Sequence, residues 1–160
     1  MQKQLIKWYQ ENKRDFPWRK DQDPYHIWIS EIMLQQTTTE TVIPYYNRFL
    51  KNFPNVEALA SASLEEVYKM WEGLGYYRRA KHIHESAQII LEKYQGVFPY
   101  EYDAILSLKG IGEYTAGAIS SIAYGKQVPA VDGNVLRIIS RYYLIKENIA
   151  ETKVQKKIYQ

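Results

Sequence analysis

The sequence predicts an all-α fold, and three observations carry that prediction. Apolar residues recur at spacings of three and four along most of the chain, no stretch alternates convincingly with period two, and the breaks between periodic segments are only a few residues long. The 160 residues suit one domain or two small, packed ones. A chain of this size buries roughly 68–70% of its unfolded surface, enough for a core without covalent staples. No cysteine is present, so the sequence itself contains no disulfide, zinc finger or thiolate-held cluster. Lys and Arg outnumber Asp and Glu by 21 to 18, a net charge of +3 that permits a nucleic-acid partner without requiring one. Fifteen tyrosines supply core and interface aromatics, and a few suit base stacking. No apolar run reaches the roughly 18 residues of a membrane span and the start lacks a signal-peptide pattern, so a cytoplasmic protein without membrane contact is expected.

The elements follow in order. A first helix is expected over 3–12, ended by Asn12 and followed by the loop Asp15-Phe16-Pro17-Trp18-Arg19. From Pro24 to about Gln36 apolar residues are dense enough for a largely buried helix. Val42, Ile43, Tyr46, Phe49 and Leu50 mark a helix beginning at Thr39, and Ser63 with Glu66 forms a capping box ahead of Val67 and Trp71. A long helix carries Ala80, Ile83, Ala87, Ile90, Leu91 and Tyr94 on one face and stops at Gly96. A short helix near 101–107 precedes a glycine turn, then come a helix from Glu113 to Tyr124 ended by Gly125 and one from Asp132 to about Tyr143. A last amphipathic helix starts at Thr152, and the chain stops at Gln160 without a cap, as a piece of a longer protein would.

Two places suggest chemistry. In Leu108-Lys109-Gly110-Ile111-Gly112 the glycines remove side chains that would block close approach, and the next helix opens its amides and positive dipole end toward the turn. That geometry suits a phosphate, although Gly-x-Gly is also a common plain connection. The second place is a pair of carboxylates. Glu31 is flanked by Trp28, Ile29, Ile32, Met33 and Leu34, where burial would keep it protonated, unless it lies on a solvated stripe of its helix. Asp132 ends the apolar run Val128-Pro129-Ala130-Val131 just before a helix, and capping is the common work of aspartate there. Amide donors at a helix start would also keep it charged. A neutral acid beside a fixed carboxylate is what N-glycosidic cleavage needs, one to protonate the leaving base and one to stabilise the cationic sugar. The three histidines have no partners at metal-ligand spacing and are expected at the surface, and no metal site is expected.

The turn with Glu113-Tyr114-Thr115-Ala116-Gly117-Ala118 resembles the helix-hairpin-helix of the endonuclease III superfamily, with Lys109 in place of the usual proline. Phe16-Pro-Trp-Arg19, Pro24-Tyr25, Trp28-Ile-Ser-Glu-Ile-Met-Leu-Gln-Gln-Thr37, Gly73-Leu-Gly-Tyr-Tyr77 and Val131-Asp-Gly-Asn-Val135 resemble, in order, the signatures of MutY-type adenine DNA glycosylases, from about residue 5 to 145. The resemblance implies a helix-hairpin-helix glycosylase fold: a six-helix barrel-like domain over 15–126, with the hairpin at about 101–124, and an incomplete second helical domain from 1–14 and 127–160. It implies excision of adenine opposite 8-oxoguanine or guanine in double-stranded DNA, by a nucleoid-associated monomer. Glu31 would be the general acid, Asp132 the stabiliser of the sugar, and Asn134 an orienting residue. Gln36 and Tyr76 would enter the DNA stack, Trp18, Arg19 and Thr37 would lie near the flipped base, and Lys109, Gly110 and Gly112 would meet phosphate. Tyr114 stands where the endonuclease III lyases have a lysine, which implies plain hydrolysis without strand nicking. Family members also hold a 4Fe–4S cluster with four cysteines, so the cluster part is expected to be missing here, with an exposed apolar patch around Leu5, Ile6, Trp8, Val154 and Ile158. A non-enzymatic DNA-binding fragment and, less favoured, an endonuclease III-like lyase are the alternative readings.

Overall fold

The computed structural model describes residues 2–159, and all regular structure among them is helical. The helices are α1 (Gln2–Asn12), α2 (Pro24–Met33), α3 (Thr39–Asn52), α4 (Val56–Ser61), α5 (Leu64–Trp71), α6 (Arg78–Tyr94), α7 (Tyr102–Leu106), α8 (Glu113–Tyr124), α9 (Gly133–Tyr142) and α10 (Thr152–Tyr159), with one 3-10 turn at Pro17–Arg19.

The core is organised around α2, which packs against α3, α6 and α8 while α6 packs against α4 and α5. Helix α2 starts where the sequence directs: Pro24 needs no amide partner, and the Asp23 carboxylate accepts from the Tyr25 amide at 2.8 Å. Ile27, Trp28, Ile29 and Met33 are wholly buried, each worth roughly 1.5–3 kcal/mol over exposure for an aliphatic or larger side chain. The helix ends at Met33, three residues short of the expected Gln36, and the carbonyls of Ile32 and Met33 at its end accept from Arg79 of α6. The Ser63–Glu66 capping box forms with both hydrogen bonds in place.

Helix α6 leaves through Gln95 (φ +55°), and the Gly96 amide then reaches back to the Ile90 carbonyl at 3.2 Å. His84 on this helix is a correction to the sequence reading. It is buried, and its Nε2 lies 2.8 Å from the Ala62 carbonyl, because that face of α6 packs against α4 and the turn that follows it. Helix α1 has no buried residue, and Leu5, Ile6, Trp8 and Tyr9 are exposed. Val154 departs from the patch expected with them: α10 packs on α9, which buries Val154 and half-buries Ile158. No helix of the described residues is long and apolar enough to cross a membrane.

Candidate active site and DNA interface

Glu31 lies on the inward side of α2 with 3% of its side chain exposed, which removes the solvated-stripe alternative. It is also ion-paired. Arg19 Nη2, from the 3-10 turn, donates to Glu31 Oε1 at 2.8 Å, where the sequence suggested an acid isolated by burial. Trp18 fixes that turn from beneath: it is buried, stacked on Phe16 at 5.0 Å and edge-on to Tyr46 at 5.5 Å. Trp18 thus supports Arg19, and its ring is part of the core.

Asp132 serves as N-cap of α9, as its position before Gly133 suggested. Its Oδ1 accepts from the Val135 amide at 2.8 Å and its Oδ2 from Asn134 Nδ2 at 2.9 Å. Arg137 Nη2 in turn donates to Asn134 Oδ1 at 3.1 Å, which fixes the amide's orientation. Both Asp132 oxygens therefore accept hydrogen bonds. Gly117 brings this segment close. A Cβ there would overlap the Pro129 carbonyl, so the absence of a side chain lets the 129–131 backbone lie directly on α8.

Tyr114, at the start of α8, is 36% exposed and feels the charge of both carboxylates. Its phenol is pushed well above the ordinary tyrosine range by burial first, then by the charge and hydrogen bonding of Glu31, then by the charge of Asp132, with Arg19 acting the other way. Arg19, Glu31 and Asp132, from three separate segments, thus all act on the Tyr114 phenol. No amine stands where Tyr114 does.

The hairpin turn uses its two glycines differently. Gly110 has φ +76°, and a Cβ on it would crowd the His82 ring and Cβ at 2.9 Å, so glycine is required there. Gly112 is extended (φ −102°, ψ 178°) with open space around it, and its lack of a side chain leaves the first amides of α8 without a side-chain cap. Lys109 does not project freely: its ammonium lies 3.1 Å from Glu85 on α6, which also approaches Lys81 at 3.9 Å.

Gln36 and Tyr76 are both exposed, and both hold left-handed backbone (φ +57° and +50°), an unusual conformation for residues other than glycine. They line one cleft of about 770 Å³ with Gln35, Tyr77, Arg78, Arg79 and His82. Thr37 lies beside it, its hydroxyl accepting from Arg79 at 3.3 Å. Sequence reading missed Arg79. The signal was its phase, since Arg79 shares the inward stripe of α6 with Ile83, Ser86 and Ile90. A second cleft of about 560 Å³ opens between α1 and the 3-10 turn, bordered by Trp8, Phe16 and Arg19.

Comparison with known proteins sets this site in a family. Residues 29–160 match the family described as HhH-GPD superfamily base excision DNA repair protein. The chain belongs to that superfamily. It is 47% identical over 156 residues to the adenine DNA glycosylase of Buchnera aphidicola subsp. Acyrthosiphon pisum, a match covering 97% of this chain and 45% of that protein. The human adenine DNA glycosylase is 42% identical over 164 residues, with 97% of this chain and 30% of the relative covered. The chain therefore spans less than half the length of these relatives. Among solved structures, a thermostable thymine-DNA glycosylase superposes with a TM-score of 0.88 at 31% identity, over 98% of this chain and 74% of its own. The HhH-GPD match begins at Ile29 and takes in Glu31, the hairpin and Asp132, while Arg19 lies just ahead of it. The superfamily's cluster chemistry does not fit these residues. There is no thiolate to offer it, and no grouping of three or more His, Asp or Glu among the described residues could hold a metal ion.

Proposed function

We propose that this chain carries the catalytic residues of a monofunctional adenine DNA glycosylase acting on adenine opposite 8-oxoguanine or guanine in duplex DNA. The observation that carries the reading is a buried acid, Glu31, paired with Arg19 at its rim, together with helix-capping Asp132 and a tyrosine at 114 where a lyase would need an amine. Similarity to adenine DNA glycosylases supports the choice of base.

The chemistry divides between the two acids. Entry of an adenine between Arg19 and Glu31 would part their ion pair and leave the carboxylate buried without its counter-ion, the condition under which it takes up a proton from water. Glu31 then delivers that proton to the leaving purine. Asp132, held by the Val135 amide and Asn134, offers its carboxylate to the cationic sugar until water or the carboxylate itself captures it. Tyr114 carries no imine-forming nitrogen, so the strand stays intact. The uncapped amides of α8, with Gly110 and Gly112, receive a backbone phosphate, and Gln36 and Tyr76 enter the stack as the adenine leaves it. In this reading residues 15–126 form the barrel-like domain, 1–14 and 127–160 belong to a second, and the protein acts as a monomer on DNA, with no cofactor held by this chain.

The test is a duplex with adenine opposite 8-oxoguanine, treated with hot alkali to reveal abasic sites. Cleavage only after alkali, lost in Glu31→Gln and in Asp132→Asn, is the expected result. Strand breaks without alkali, trapped by borohydride, would establish a lyase instead, and DNA binding without base release would leave a binding fragment.

A further inference from the structure

Arg79 is a buried cation whose partners are backbone carbonyls and one hydroxyl. It is 8% exposed, and its Nη1 donates to the carbonyls of Ile32 (3.0 Å), Met33 (2.8 Å) and Gln35. Its Nη2 reaches Thr37 Oγ1 and the Gly75 carbonyl, both at 3.3 Å. The guanidinium carbon lies 5.4 Å from the ring centroids of both Trp71 and Tyr76. Burial disfavours such a charge, and the carbonyls at the negative end of α2 offset the cost.

The consequence is geometric. The 34–37 turn and the 73–77 turn are far apart in sequence, and this side chain bonds to both. Gln36 follows the bonded Gln35 carbonyl and precedes the bonded Thr37 hydroxyl, while Tyr76 follows the bonded Gly75 carbonyl and lies against the guanidinium itself. Both residues hold left-handed backbone, which persists only where surroundings over-determine it. The two terminal nitrogens of the guanidinium supply that determination, Nη1 on the 34–37 turn and Nη2 on Thr37 and Gly75, whereas a lysine ammonium has a single nitrogen to serve both turns.

We propose that Arg79 is the positioning residue that holds Gln36 and Tyr76 as one preformed wedge for extruding the target base. This rests on the glycosylase reading and adds to it the residue that sets the wedge before DNA arrives. Because extrusion and bond cleavage are separate steps, loss of Arg79 should slow the first and spare the second.

The experiment uses the whole chain and two duplexes. One carries adenine, or 2-aminopurine as a fluorescent reporter of unstacking, opposite 8-oxoguanine, and the other carries adenine in an already unstacked bulge. Arg79→Lys should reduce the fluorescence rise and slow single-turnover release from the mispair roughly tenfold, while release from the bulge changes by less than about threefold. Arg79→Gln, whose amide can donate to one turn but not span both, should shift the same ratio in the same direction and decides the matter if Arg79→Lys does not fold. Equal losses on both duplexes, or no change on either, would overturn the proposal. A wild-type chain that neither extrudes nor releases a base would instead overturn the glycosylase reading beneath it.

Discussion

Arg19 closes over Glu31 with a single 2.8 Å charge-assisted hydrogen bond, and the two differ sharply in exposure, at 33% for the arginine side chain and 3% for the glutamate. The carboxylate is committed to the interior while its counter-ion sits at the rim and can be moved. Arg19→Met should therefore lower stability by about 1–2 kcal/mol, because a buried acceptor is left unpaired. Glu31→Gln in that background should restore most of the loss, and a double-mutant cycle of denaturant midpoints reads the coupling. Glu31→Gln should also reduce base release by about two to four orders of magnitude, the usual worth of a general acid.

Asp132 does two things that substitution can separate. Asparagine is as good a helix cap as aspartate, so Asp132→Asn should melt within a degree or two of wild type, while Asp132→Ala should lose about 1 kcal/mol. Both should lose base release, because only the charge serves the sugar. Activity in Asp132→Asn close to wild type would assign the residue to capping alone.

Tyr114 stands close to both carboxylates, and an amine there would meet a sugar carbon in the same place. Tyr114→Lys should convert plain hydrolysis into borohydride-trappable strand nicking, visible as a protein–DNA adduct on a denaturing gel. An unchanged need for alkali would place the reacting sugar elsewhere.

The tyrosines also set a limit at high pH. Burial raises the phenols of Tyr25, Tyr46, Tyr114 and Tyr124 above the usual 10.0, Tyr124 to about 12. Above pH 10 the unfolded chain releases these protons and the folded chain retains them, so the folded state binds more protons and stability falls as pH rises. The contribution is complete below pH 10 and should be lost through about pH 12 as Tyr124 itself titrates, with the others above it. Tyrosinate absorbance should rise with unfolding and not ahead of it for these residues.

Lys109 is held by Glu85 in the absence of DNA. Glu85→Gln should free both Lys109 and Lys81, tighten DNA binding at low salt, and steepen the dependence of log affinity on log salt by about one for each phosphate newly met. Identical slopes would mean that neither ammonium reaches the backbone of the duplex.

The two glycines of the hairpin show how far a pattern reads. Gly110 is needed because a left-handed backbone presses it on His82, where the sequence suggested room for a phosphate, whereas Gly112 has an ordinary backbone and open surroundings. Gly117 carried no comparable signal, because what it makes room for, the Pro129 carbonyl, lies twelve residues away along the chain. Histidine 84 was misread for the same reason. A polar residue in a helix repeat reads as surface until a neighbouring carbonyl, here that of Ala62, is found beside it.

By itself the sequence determined most of the helices, α4 excepted, and the caps at Ser63 with Glu66 and at Asp132, since 3.6-residue periodicity and capping act through neighbours a few residues away. It also marked Glu31 and Asp132 as acids in unusual settings, and the motifs around them carried the resemblance to a family. Only the tertiary structure decided that Glu31 would be buried against Arg19, that Tyr114 would feel both carboxylates, and that Arg79 would tie two distant turns together. Those outcomes depend on which faces of α2, α6 and α8 meet, and contact between residues tens of positions apart is set by packing of the whole core, which no local spacing records.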